Sequence, residues 1–311
     1  MTKKVLLLGN GITREYYQGG NWDEVLDQIK IEELYPLPSQ NYKIPMTLKA
    51  AMLTKNQLNS RIKDNPKLFS LPPKTEHSFL QDLLKLKFDY ILTTNYTYEI
   101  ECALLETTEV SPSQIRNFHK ASKTQNLTID FLNYPDLMKS YNEINGIKIW
   151  HIHGEAAYPE SIVFGHKAYG YLLYSYVKKV NPTLNDIDDV DENWIEPFVS
   201  GDVYILGFGM NTAETDLWWL LQHKSVIQKK KKNSEEKAKT IFFNPQPYGI
   251  TCANCNKQYI HGGEEWCKLE MLKNHGVEIR HIPFDNTNNS YDQFYRNALK
   301  SIKDEFERNE K

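Results

Sequence analysis

The chain has 311 residues, 37 of them basic and 40 acidic, with no apolar run near 18 residues long. The near balance of charge gives no reason to expect nucleic acid or an anionic membrane as partner, and the absence of such a run excludes a membrane-spanning helix. The length suits one large α/β domain carrying an inserted helical part.

The first residues are basic and then apolar only over Val5–Leu8. That is too short for a secretory signal and suits a first buried strand. Gly9, Asn10 and Gly11 follow at once. Glycines after a first strand let the backbone approach a phosphate or ribose, and the turn amides supply donors. The third glycine of a dinucleotide fingerprint is replaced by Arg14, which either meets a phosphate or lies on the surface. Residues about 21–87 read as helices inserted between the first and second strands. Trp22, Val25, Leu26 and Ile29 share one helical face, and Phe79, Leu80, Leu83 and Leu84 share another.

The stretch from Tyr90 to Glu101 organises the rest. Phe88, Tyr90, Ile91 and Leu92 suit a buried strand, Thr93, Thr94 and Asn95 form a polar turn, and helical spacing resumes at Glu99. A strand–turn–helix unit places its turn at the carboxyl end of a sheet, where open α/β folds bind ligands. Thr94 and Asn95 either cap the helix or grip a sugar or carbonyl.

Leu127–Leu132 and Ile147–Ile152 read as further strands. Alternation puts His151 and His153 on one face, with His153 before Gly154 and free to enter a cleft. An imidazole there suits proton transfer near neutral pH, while His151 reads as a support. Ser161–Tyr169 reads as a short strand running into a loop, Tyr169–Tyr176 as an aromatic-rich helix packing over the pocket, and the acidic run Asn185–Glu192 as a solvated loop. Val203–Leu206 is a buried strand ending in a second glycine loop, Gly207 and Gly209, with Thr212 and Thr215 as cap candidates. Asp216 either caps the next helix or binds a hydroxyl. Thr240–Phe243 is a strand closed by Asn244–Pro245, where Asn244 can meet a base or ribose.

The chain has four cysteines, Cys102 alone and Cys252, Cys255 and Cys267 clustered. This is a poor disulfide framework and favours a reducing, cytoplasmic setting. With His261, the cluster reads C-x2-C-x5-H-x5-C, over residues 250–268. It is either a closed tetrahedral zinc set or a group of reduced thiols. Val277–Ile282 is a last strand and Tyr291–Phe306 an amphipathic helix.

Four blocks, in this order, resemble the sirtuin-like (silent-information-regulator-like) domain family: Leu8–Gly11; Leu92–Thr97 with Glu101; Ile152–Gly154; and Leu206–Gly209 with Asp216. Within that family the chain most resembles bacterial defence proteins, including sirtuin-like NAD hydrolases and the AbiH type of abortive-infection protein. The resemblance implies a single Rossmann-type domain over 1–311 that binds NAD. Asn95 would orient the ribose and the water or nicotinamide, and His153 would be the catalytic histidine. Gly9, Asn10, Gly11, Thr94, Gly207, Gly209, Asp216 and Asn244 would line the cofactor. Protein-deacylating sirtuins carry a longer glycine loop, an aspartate where Thr97 stands, and two mid-chain cysteine pairs. These departures turn the expectation from deacylation toward hydrolysis of NAD to ADP-ribose and nicotinamide. A deacylase, or a sensor binding NAD or ADP-ribose without turnover, is the alternative. Family habit adds a trigger, either a partner protein or a phage component, and a homo-oligomer.

Overall fold

The computed structural model describes residues 2–17, 57, 60, 62, 65–72, 79–121, 134–180, 192–211, 214–231, 237–247, 264–285 and 290–309. The strand expected at 127–132, most of the helical insertion, and Thr212, Cys252, Cys255 and His261 lie outside them.

The core is an eight-stranded sheet in the order β3-β4-β5-β2-β1-β6-β7-β8. Its strands are β1 (Lys4–Leu8), β2 (Tyr90–Thr93), β3 (His119–Ala121), β4 (Ser140–Ile144), β5 (Ile147–His151), β6 (Asp202–Leu206), β7 (Thr240–Pro247) and β8 (Glu278–Phe284). From β5 to β8 every neighbouring pair is parallel. The order β5-β2-β1-β6-β7-β8 is that of the Rossmann sheet, whose strand order reverses beside the first strand. Here that switch point lies between β1 and β6. Val5, Leu6 and Leu7 are fully buried, as a central parallel strand covered on both faces requires.

The antiparallel hairpin β3–β4 extends the β5 edge. β4 and β5 are joined by Asn145–Gly146, with φ of 52° and 77°. Two left-handed central residues make the turn whose twist matches the flanking strands, and Asn-Gly is its favoured pair. Helix α1 (Asn10–Tyr16) follows β1, α2 (Phe79–Leu84) precedes β2, and α3 (Glu99–Leu105) follows it. Helix α4 (Pro112–Phe118) leads into β3. Its start is set by a reciprocal cap between Ser111 and Gln114, with Pro112 in the first turn.

Helices α5 (His166–Val180) and α6 (Ile195–Ser200) lie between β5 and β6, α7 (Thr215–Lys230) after β6, α8 (Glu264–Asn274) after β7 and α9 (Asp292–Asn309) after β8. They sort into two layers. Tyr16 of α1 stacks on Phe79 of α2 at 5.1 Å and tilts against Tyr295 of α9 at 5.6 Å. On the other face Tyr176 of α5, Trp194 just before α6 and Phe198 of α6 meet edge to face, and α7 packs on both helices.

Two expectations are corrected. Residues 161–169 form no strand. Pro159–Ser161 is a 3₁₀ turn held by the Ser161 hydroxyl on the Tyr158 carbonyl, and α5 begins at His166. Ile162 and Val163 are apolar because they are buried under the loop after β5, where the Val163 amide donates to the His153 carbonyl. Asn244–Pro245 does not end β7, which runs on to Pro247 beside β8. Pairing with β6 stops at Phe242, so the side of β7 that faced β6 is an edge from there on. Such an edge is where a strand tolerates a residue lacking an N–H.

Candidate functional site

Register places the site. Leu8 pairs with Thr93 and Leu206, and Thr93 pairs with His151. Gly9, Thr94, Gly207 and Ile152 are therefore the first residues past the sheet, and Asn10, Asn95, Phe208 and His153 the second. Asn95 and His153 occupy matching positions on neighbouring strand ends.

Every residue from Ile91 to Ala103 is buried, including Thr93, Thr94, Asn95, Thr97, Glu99 and Glu101. Neither Thr94 nor Asn95 caps α3, whose N-cap is Tyr98 with no side-chain cap bond. The Thr94 amide donates to the Leu8 carbonyl, and the Asn95 amide N–H folds back onto the Thr93 hydroxyl. The Asn95 side chain donates through Nδ2 to Thr13 Oγ1 at 3.1 Å and to Glu99 Oε1. Thr97 donates to the other oxygen of Glu99 at 2.7 Å. Burial raises the Glu99 carboxyl, against the bonds from Asn95 and Thr97 that favour its charged form. Asn95 Oδ1 has no hydrogen-bond partner among the described residues, and the residue is 6 % exposed. The amide is held by its donor end and open at its acceptor end.

His151 supports this loop. Nδ1 lies 2.8 Å from the Asn95 carbonyl oxygen and Nε2 2.8 Å from Glu101 Oε1. Both partners are acceptors, so both ring nitrogens donate. Burial opposes the charged ring, but the Glu101 carboxylate outweighs it and lifts the imidazole to about 10. Asn142 of β4 bridges Glu101 at 2.9 Å and Glu155 at 3.0 Å, and His119 of β3 lies 3.4 Å from Glu155. Burial would raise Glu155, yet His119, His151 and Asn142 bring it down to about 2.

His153 belongs to a separate cluster. Nε2 lies 2.9 Å from Asp216 Oδ2 and Nδ1 3.5 Å from Glu214 Oε2. The Tyr169 hydroxyl donates to Glu214 Oε2 at 2.9 Å, and its ring meets the imidazole edge-on at 5.5 Å. Burial disfavours the imidazolium, but Asp216 and then Glu214 raise it above the usual range. Burial also raises the Glu214 carboxyl, with His153 opposing. Gly154 (φ +89°) releases His153 from the strand, since a Cβ there would lie 2.4 Å from the Ser161 carbonyl oxygen.

Asn95 and His153 share no side-chain partner. The amide turns to α1 and α3 of one layer, the imidazole to α5 and α7 of the other. Each lies two residues past the end of its strand, β2 for Asn95 and β5 for His153.

The two glycine loops meet each other. The Gly9 amide donates to the Leu206 carbonyl and the Gly11 amide to that of Gly207. A Cβ at Gly9 would lie 2.4 Å from the Phe208 Cα, and one at Gly11 2.5 Å from the Tyr295 hydroxyl. Gly9, Gly11 and Gly207 are accounted for by close packing, whereas a Cβ at Gly209 would meet nothing within 4 Å. Asn10 and Gly209 are exposed, and Lys268 donates to the Gly209 carbonyl at 3.1 Å. Asn244 lies within β7, two strands from β1, against its neighbour's carbonyl and His281. It is not gathered to the Asn95 or His153 clusters. Cys267 is a free, exposed cysteine on α8.

Sequence reasoning passed over Thr13, Glu214, Asn142 and Glu155 as site residues and read Tyr169 only as part of a helix packing over the pocket. Only Asn142 carried a local signal, the hairpin dipeptide Asn145–Gly146. The site is rich in carboxylates, Glu99, Glu101, Glu155, Glu214 and Asp216, and none bonds a lysine or arginine side chain among the described residues. Such a site favours a centre that is positive or becomes positive. No protein-family model matches the chain, and no curated protein sequence matches it.

Proposed function

We propose that the chain is an NAD+ glycohydrolase, cleaving the nicotinamide–ribose bond with water to give ADP-ribose and nicotinamide. The observation that carries this reading is the Asn95 amide, pinned by Nδ2 and open at Oδ1, at the carboxyl end of a central Rossmann strand. An acceptor so held takes a proton donor, either a ribose hydroxyl or the attacking water. The C1′–N bond breaks as nicotinamide leaves with the electron pair. Positive charge grows on the ribose, and the surrounding carboxylates favour it. Water then bonds to C1′ and gives up a proton.

His153 receives that proton together with its partners. Two carboxylates around one imidazole keep room for one more proton after the ring is charged, and the raised Glu214 carboxyl suits that role. The Gly9 and Gly11 amides, which a diphosphate would need, are engaged, Gly9 by the last residue of β6 and Gly11 by the first of the loop after it. This supports a resting state opened by a trigger, such as a partner protein, a phage component or an oligomer change, and fits an effector of antiphage defence. The Cys252, Cys255, His261 and Cys267 set would hold structural zinc. The engagement of both His153 ring nitrogens also favours a second reading, a sensor that binds NAD or ADP-ribose without turnover.

The test is incubation of pure protein with NAD+, and expression in cells with NAD quantified. Free nicotinamide and ADP-ribose, or NAD depletion relieved by Asn95→Ala and His153→Ala, support hydrolysis. Each variant should lose on the order of 100-fold or more. A thermal shift with NAD and no product in either setting supports the sensor. Turnover only with acyl-lysine peptide would replace both with a deacylase.

A further inference from the structure

We infer that Glu214 is the side chain that meets the attacking water and takes its proton, and that Tyr169 is its positioning residue. The inference rests on the hydrolase reading and narrows it from a cluster to one carboxylate. The His153 side chain is 1 % exposed and has a carboxylate against each ring nitrogen, Asp216 Oδ2 at Nε2 and Glu214 Oε2 at Nδ1. Neither nitrogen is left to meet a water. Asp216 is fully buried, and the buried Tyr176 hydroxyl acts on it. Glu214 alone of the three keeps contact with solvent, with 19 % of its side chain exposed. Its Oε2 carries both contacts, to the Tyr169 hydroxyl and to His153. Oε1 has no hydrogen-bond partner among the described residues.

Local structure would have used this side chain otherwise. Glu214 is the N-cap of α7, a position whose side chain ordinarily accepts from the helix's first free N–H groups, yet it makes no such bond. Tyr169 reaches over from α5 and turns it toward His153 instead. A phenol and an imidazole thus fix one oxygen and present the other. Burial raises the carboxyl, so it takes a proton more readily than a solvated glutamate. The step balances. The C1′–N bond breaks with its electron pair leaving on nicotinamide, and a lone pair of the water forms the C1′–O bond. The water's proton passes to Oε1, giving a neutral acid that returns it to solvent from its exposed side.

The experiment measures nicotinamide release from NAD+ by wild type, Glu214→Gln, Glu214→Ala and Tyr169→Phe, as pure protein and in lysate of expressing cells, with and without sodium azide. Both Glu214 variants should lose about 100-fold or more in kcat with KM little changed, and Tyr169→Phe about tenfold. Azide has no proton to give up. It should therefore restore nicotinamide release by Glu214→Ala, with azido-ADP-ribose as the product, and add nothing to wild type. A glutamate that only supports the fold would show no such rescue. Activity of Glu214→Gln within about threefold of wild type, or Glu214→Ala still inactive in azide, overturns the role and leaves the hydrolase reading standing. No nicotinamide from wild type in either preparation overturns both.

Discussion

At the scale of single residues, the bonds of Asn95 have a stability cost that can be measured apart from the proposed hydrolysis. Asn95→Ala removes donors to Thr13 and Glu99 and should cost about 1 to 2 kcal/mol in urea unfolding. Asn95→Asp sets a second buried carboxylate against Glu99 and should cost about 3 kcal/mol or more, recovered in part as acid protonates the pair. Equal loss from both variants would mean that Glu99 does not face the amide in solution. Gly154→Ala forces a left-handed backbone and a clash with the Ser161 carbonyl, so it should cost about 3 kcal/mol and lower the melting temperature. The positions of Asn95 and His153 just past strand ends were legible in sequence because β2 and β5 are readable strands. Their partners were not. Glu99 looks like any acid in a helix's first turn, and Glu214 and Asp216 meet His153 across 60 or more residues of chain.

At the scale of elements, Lys224 shows how α7 is fastened. Its ammonium, 3 % exposed, donates to the Gly201 carbonyl at 2.6 Å and the Lys239 carbonyl at 3.1 Å, at the starts of β6 and β7. Burial pushes the amine down to about 7. Between that value and the ordinary lysine range near 10.5, the unfolded chain binds a proton that the folded one lacks. Stability therefore rises with pH across this window, by up to about 1.4 kcal/mol per unit from this group. The rise should be absent from Lys224→Met and so appear in the difference between wild type and that variant, measured by urea unfolding at several pH values. A difference independent of pH would mean that the amine stays charged. Elements were readable where periodicity was long or terminal. The strand expected at 161–169 failed because Ile162 and Val163 are buried by a loop rather than a ladder, and burial alone does not distinguish the two. β7 ran past Pro245 because its neighbour β6 stops pairing, which is a property of the sheet and not of the segment.

At the scale of the molecule, the parallel sheet was readable and its edge was not. The strand–glycine and strand–polar-turn units imply a doubly wound fold, but the one local sign that β4 turns back antiparallel beside β5 is Asn145–Gly146, and nothing local places β3 beyond it. That attachment places Asn142 between Glu101 and Glu155 and so stiffens the loop bearing Asn95. The switch point carries a further consequence. In a dinucleotide site its crevice must accept a diphosphate, yet here the first glycine loop spends its Gly9 and Gly11 amides on Leu206 and Gly207. If this closure is the resting state, those two amides should exchange with deuterium about as slowly as the amides of β1 in ligand-free protein. NAD alone should leave them protected, while NAD with a productive trigger should change their exchange together with the start of nicotinamide release. Fast exchange in the free protein would mean that the crevice already opens unaided, and control of activity would then have to act at His153 instead.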